Sequence, residues 1–139
     1  MGLLNENDTN LLKAETIRGK DLSYAAYSSF RVGAAVFLED GSVTAGGNVE
    51  NASFPAGNCA ERSAILTAKM TGHSLKIRAI GVTSDSEQLV SPCGVCRQFI
   101  REFATLDTPI YMWTVNEALT IKTLEELLPY SFGPDNLKQ

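Results

Sequence analysis

Cys59-Ala60-Glu61 and Pro92-Cys93-Gly94-Val95-Cys96 contain all three cysteines of the chain. Three thiolates make a full set of protein ligands for a catalytic zinc. Such an ion keeps its fourth position for water and lowers the pKa of that water from about 15.7 to about 7. Glu61, two residues after the first sulfur, is placed to shuttle protons. Cys93 and Cys96 stand three apart, so on a helix both face the same side of its first turn. Cys59 falls at the start of a second helix. Two helix N-termini would then converge, each bringing partial positive charge and unpaired N–H groups. Three thiolates and a divalent zinc leave a net charge of about −1, which those ends would stabilise. Arg62 could add a hydrogen bond to thiolate sulfur, tempering ligands that otherwise keep the bound water too basic.

Other uses of cysteine fit less well. A C-x-x-C pair can be a redox couple, but thioredoxin-type motifs follow a strand within a different pattern. A closed structural zinc needs a fourth ligand, and the single histidine, His73, comes after the end of its segment's helix. His73 reads as a solvated helix-terminus residue, and Trp113 and the methionines as packing residues.

The elements that must position these residues can be read around them. Asp8 or Thr9 is the expected cap of a first helix reaching about Tyr24, with Leu11, Leu12, Ile17 and Leu22 as its apolar positions. Phe30 to Leu38 reads as a strand, Asp40-Gly41 as a hairpin turn, and Ser42 to Val49 as the partner strand. Asn51 to Asn58 is a loop. A helix from about Cys59 to Met70, closed by Thr71-Gly72, carries a small-residue stripe of Ala60, Ala64, Ile65 and Ala68. Arg78 to Ser84 is a strand. Pro92 is expected at the first position of a helix over Cys93 to Phe103. Ile110 to Val115 and Leu119-Thr120-Ile121 follow as strands, and Thr123-Leu124-Glu125-Glu126 is a capping box for a last helical turn. This order predicts an α/β fold, a three-layer α/β/α sandwich around a five-stranded mixed sheet.

With 139 residues, 44% hydrophobic and 20% charged, the chain is expected to be one domain over 1–139, with residues 1–7 flexible. A net charge of −4 disfavours a nucleic-acid partner, which calls for a basic face. No apolar run is long enough to span a membrane. The N-terminal residues lack a signal-peptide apolar region and a myristoylation pattern. An odd number of cysteines, all used as reduced ligands, points to a cytoplasmic location.

The two cysteine blocks carry the zinc-deaminase signature, in which the Glu is acid/base and not a ligand. Together with Phe30-Arg31-Val32-Gly33-Ala34-Ala35, Asn48-Val49-Glu50-Asn51-Ala52 and Leu127-Leu128-Pro129-Tyr130-Ser131-Phe132-Gly133-Pro134, they resemble the homotetrameric cytidine deaminases over about residues 20–137. The resemblance implies one Zn2+ per subunit on Cys59, Cys93 and Cys96, with Glu61 as proton shuttle. It implies Asn48 and Glu50 on the ribose 3′-hydroxyl, Phe30 beside the pyrimidine, the Ala60 N–H on the base carbonyl, and the Ser91 C=O on the amino group. Ala52, Phe54 and Phe132 would reach a neighbouring subunit's substrate. Two positions depart from the family pattern: Arg31 stands where others carry Pro, and Phe54 where others carry Tyr. The implied activity is hydrolytic deamination of cytidine and 2′-deoxycytidine to the uridines and ammonia, in pyrimidine salvage. A polynucleotide deaminase would instead need a basic groove, and a zinc-binding interaction module would bind the metal without turnover.

Overall fold

The computed structural model describes residues 2–137. In chain order the elements are α1 (Glu6–Asp21), β1 (Val32–Leu38), β2 (Val43–Gly47), a 3-10 turn (Phe54–Ala56), α2 (Ala60–Met70), β3 (Ile77–Ser84), α3 (Gly94–Phe103), β4 (Pro109–Trp113), β5 (Leu119–Thr123), α4 (Leu124–Leu127) and a second 3-10 turn (Pro134–Asn136). The strands form one sheet in the order β2-β1-β3-β4-β5. Only β3 and β4 run parallel; the other pairs are antiparallel.

Strand side chains alternate between faces, and both faces are apolar, so both must be covered. Ala34, Val36, Leu38, Ile80, Val82, Ile110 and Met112 pack with Ala60, Ala64, Ile65 and Ala68 of α2, Ile100 of α3 and Leu124 of α4. Ala35, Phe37, Ala79, Tyr111 and Trp113 face the other way and pack on Leu12 of α1. The mixed five-stranded sheet between helical layers matches the expectation. The stripe of α2 needs bare backbone beneath it: a Cβ on Gly46 of β2 would lie 2.4 Å from the Ala64 nitrogen. That contact seats on the sheet the helix that begins at the first sulfur.

Several boundaries differ from the sequence expectation, each for a local reason. The segment expected to be loose, 1–7, is anchored in its described part. The Leu4 N–H donates to the Tyr111 hydroxyl at 2.8 Å, and Asn5 Oδ1 caps α1 by accepting from the Asp8 N–H at 2.8 Å. The helix therefore starts ahead of Asp8 and Thr9; the Thr9 hydroxyl donates to the Asn5 carbonyl instead. Met1 lies outside the described residues. Of the apolar positions assigned to α1, Leu12 is buried while Leu11 and Leu22 are exposed. The buried stripe of this helix runs through Leu12, Thr16, Gly19 and Lys20. β1 begins at Val32, not Phe30, because side chains take the amides ahead of it: the Ser28 hydroxyl oxygen accepts from the Phe30 N–H and Asp85 from the Arg31 N–H. α3 begins at Gly94 with Cys93 as its cap, which leaves Pro92 just outside the helix. The capping box at Thr123 and Glu126 forms as expected.

Candidate active site

The two sulfur-bearing helix starts meet beside the inner strands β1 and β3, whose Val32 and Val82 line the same cavity. Cys59 caps α2 with its side chain free of the helix backbone. Cys93 caps α3, and its sulfur accepts from the Cys96 N–H at 3.4 Å. Using cysteine as cap leaves the sulfur at the positive helix end, where a thiolate is favoured. Sγ of Cys59 and Sγ of Cys93 lie 3.9 Å apart, and all three sulfurs fall within 4.8 Å of one another. Two sulfurs each about 2.3 Å from a tetrahedral zinc are separated by about 3.8 Å, so the donor set fits that ion. Among the described residues no other cluster of three His, Cys, Asp or Glu side chains is this compact.

The surroundings of the sulfurs are polarised. The Arg62 Nη2 donates to Cys59 Sγ at 3.6 Å. Hydrogen bonding from Cys96, then from Arg62 and Cys93, outweighs burial and brings the Cys59 thiol down to about 5. Cys96, the fully buried donor of that bond, is pushed up by the same hydrogen bond and by desolvation. The Glu61 side chain is only 4% exposed, and burial raises its carboxyl above the ordinary value, with the Cys59 charge adding to the effect. A carboxyl raised by desolvation beside a cleft is better suited to accept and return a proton than an ordinary one.

A cavity of about 770 Å³ opens beside these groups. Cys59, Ala60, Glu61, Arg62, Cys93, Asn48, Glu50, Phe54 and Ser91 all line it, and Cys96 lies behind them, fully buried. The stretch 48–50 is pinned from both sides. The Tyr24 N–H donates to the Asn48 carbonyl and the Glu50 N–H to the Tyr24 carbonyl, while Val49 and Asn58 exchange both of their backbone bonds. Asn48 Nδ2 donates to the Phe30 carbonyl at 3.0 Å. Glu50 accepts from the N–H groups of Tyr27 and Ser28 at 2.9 and 3.0 Å and from the Ser28 hydroxyl. These bonds, the hydroxyl first, hold the Glu50 carboxyl below the usual carboxylate range. The turn they fasten is sharp, since Ser29 adopts a left-handed φ of 58°.

Phe30, Ala52 and Phe132 are not brought to the cavity wall within one chain. Phe132 is 58% exposed, and its carbonyl accepts from Gln98 Nε2. Tyr27, Ser28, Asn51 and Val95 line the cavity without having been singled out. Tyr27 and Ser28 sit just ahead of the Phe30 block, a position that could have drawn notice; Val95, inside the second cysteine block, offers no chemical signal.

Comparison with known proteins agrees with this geometry. Residues 6–112 match the family described as the cytidine and deoxycytidylate deaminase zinc-binding region. A cytidine deaminase of Halalkalibacterium halodurans is 39% identical over 94% of this chain and 98% of its own length. The crystal structure of cytidine deaminase from Burkholderia pseudomallei superposes with a TM-score of 0.85 at 32% identity, covering 93% of this chain and 100% of that one. The enzyme of that name from Mycobacterium tuberculosis superposes with a TM-score of 0.78 at 32% identity, over 91% and 98%.

Proposed function

The chain belongs to the family of cytidine and deoxycytidylate deaminases, and from that membership we propose how its own residues carry the reaction. It is a zinc-dependent hydrolase that converts cytidine and 2′-deoxycytidine to uridine and 2′-deoxyuridine with release of ammonia, a step in pyrimidine salvage. The observation that carries this reading is a buried Glu61 lining one cavity with the sulfurs of Cys59 and Cys93. Zinc held by Cys59, Cys93 and Cys96 supplies a Lewis acid that brings the pKa of bound water to about 7. Glu61 takes one proton from the attacking water and passes it to ring nitrogen 3, then takes the second from the new hydroxyl on carbon 4 and gives it to the amine as the C4–N bond breaks and the 4-oxo group forms. Its raised proton affinity suits both directions of transfer.

The remaining lining supports roles for substrate binding. The Ala60 N–H, in the first turn of α2, is assigned to the base carbonyl, and the Ser91 carbonyl to the amino group. Asn48 and Glu50 take the ribose 3′-hydroxyl, since an amide and a carboxylate match a group that both donates and accepts. Phe30, which does not line the cavity within this chain, is assigned to the pyrimidine from the turn that Asn48 and Glu50 secure. Among the described lining residues Arg62 is the sole cation, and its Nη2 is spent on Cys59. A 5′-phosphate would find no free positive partner there, which favours the nucleoside over the nucleotide.

Ala52, Phe54 and Phe132 are assigned to a neighbouring subunit's substrate, in a homotetramer of single-domain chains working in the cytoplasm. Exposure of Phe54 and Phe132 supports this, because large aromatic rings left in water are the usual anchors of an interface. Among the described residues no helix is long and apolar enough to cross a membrane. The test is an absorbance assay of the zinc-loaded chain on cytidine, deoxycytidine, cytosine and CMP. Turnover of the two nucleosides is expected. Turnover of CMP but not cytidine would overturn the nucleoside assignment, and turnover of cytosine alone would overturn the ribose contacts.

A further inference from the structure

Arg97 follows Cys96 directly on α3, and its guanidinium is spent on three oxygens from different parts of the chain. Nε donates to the Pro92 carbonyl at 2.7 Å, Nη1 to the Leu127 carbonyl at 2.6 Å, and Nη2 to the Ser91 hydroxyl at 2.6 Å. Short bonds from a charged, planar donor are strong and fix direction as well as distance. Arg97 itself does not line the cavity, whereas Ser91 does.

What these bonds leave over is informative. Ser91 and Pro92 are the last irregular residues before the Cys93 cap. Pro92 has no N–H and keeps Ser91 out of helical backbone geometry. With the Ser91 hydroxyl and the Pro92 carbonyl both claimed by Arg97, the Ser91 carbonyl has no donor among the described residues. It is a free acceptor on a residue that lines the cavity, in a peptide held from both sides. Such an acceptor attracts a 4-amino group and opposes the lone pairs of a 4-oxo group.

We infer that Arg97 is a positioning residue that clamps the Ser91–Pro92 peptide so that the Ser91 carbonyl selects a 4-amino pyrimidine over its 4-oxo product. This rests on the deaminase reading above, and it adds to that reading a source of discrimination between substrate and product. A lysine at this position cannot reach three oxygens lying in different directions.

The test measures binding without turnover, in the zinc-loaded full chain carrying Glu61→Gln. Cytidine and uridine are titrated by calorimetry, with Arg97→Ala, Arg97→Lys or Ser91→Ala added. Arg97→Ala should weaken cytidine about tenfold, the size of one lost hydrogen bond, and leave uridine within about twofold. Arg97→Lys and Ser91→Ala should fall between, and they decide the matter should Arg97→Ala not fold. A purely structural role would weaken both ligands alike. Equal loss for both, or an unchanged ratio in all the variants that fold, overturns the role of Arg97 while wild-type turnover of cytidine leaves the deaminase reading standing. A zinc-loaded wild-type chain that leaves cytidine untouched overturns that reading itself.

Discussion

The sulfur end of the cavity and the end proposed to hold the sugar differ in how their polar groups are satisfied. At the sulfur end, the Arg62 Nε is buried without a hydrogen bond among the described residues, Glu61 is buried with its carboxyl raised, and three sulfurs crowd within 4.8 Å. At the sugar end, Asn48 spends its amide on Val32 and Phe30, and Glu50 takes two N–H groups and a hydroxyl. Groups bonded to their own fold hold their geometry with or without a ligand. Buried groups short of partners cost stability until something binds them. The sulfur end is therefore expected to answer strongly to its ion, and the sugar end to couple substrate binding with local stability.

The largest effect should come from the metal. Cys96→Ala removes the buried sulfur and is expected to abolish zinc uptake and turnover together. Its melting temperature should match that of chelator-treated wild type, since an ion that binds only the folded state stabilises it. Calorimetry with metal analysis checks both; normal zinc content in this variant would remove Cys96 from the ligand set. Next comes Glu61→Gln, which should lower kcat by about 10²–10⁴-fold. The same change should leave the melting temperature equal or higher, because a buried carboxyl is replaced by a neutral isostere. A kcat within about tenfold of wild type would end the proton-shuttle assignment.

Much of the sulfur end was legible because its signals are local. Cys93 and Cys96 share one helical turn, and the stripe Ala60, Ala64, Ile65 and Ala68 repeats at helical spacing and is wholly buried. The Thr123 capping box spans adjacent positions and is present. What sequence did not disclose depends on bonds between distant residues. The start of α1 moves because the hydroxyl of Tyr111 holds Leu4. The start of β1 moves because Asp85 takes the Arg31 amide. The roles of Ser28 and Arg97 exist only once Glu50 and Leu127 fold against them. Helical spacing also cannot say which apolar residues of an amphipathic helix stay wet, which is why Leu11 and Leu22 were misassigned.

Sugar-end substitutions should produce mixed, intermediate effects. Asn48→Ala strips the Val32 N–H and the Phe30 carbonyl of partners and is expected to cost about 1–3 kcal/mol, seen in urea unfolding, while raising KM for cytidine. Glu50→Gln should raise KM with little change in kcat, and should affect cytidine more than free cytosine. Because hydrogen bonds hold the Glu50 carboxyl low, it keeps its charge to lower pH than an ordinary glutamate. KM for cytidine should then stay flat down to about pH 5, short of the ordinary Glu value. An inflection above that pH would assign the titration to another group and weaken the case for Glu50 on the ribose.

The smallest effect is expected where the sugar end meets the surface. Asp85 accepts from the Arg31 amide, Nε and Nη2 at 3.0, 3.1 and 3.0 Å, with Lys20 Nζ at 3.5 Å. This clamps the residue after Phe30 to the end of β3. Arg31 bonding lowers the Asp85 carboxyl. A depressed folded value means the contribution is complete above the unfolded pKa of about 3.9 and disappears as pH falls through the folded one. Arg31 is exposed and Asp85 partly exposed, so the pair is worth about 0–1 kcal/mol and weakens as salt rises. Asp85→Asn still offers an oxygen to the Arg31 amide and should lower stability only slightly, erase that acid-side loss, and leave KM nearly unchanged. A severalfold rise in KM would mean that the Phe30 turn is held from outside by this ion pair, and not by the bonds of Asn48 and Glu50.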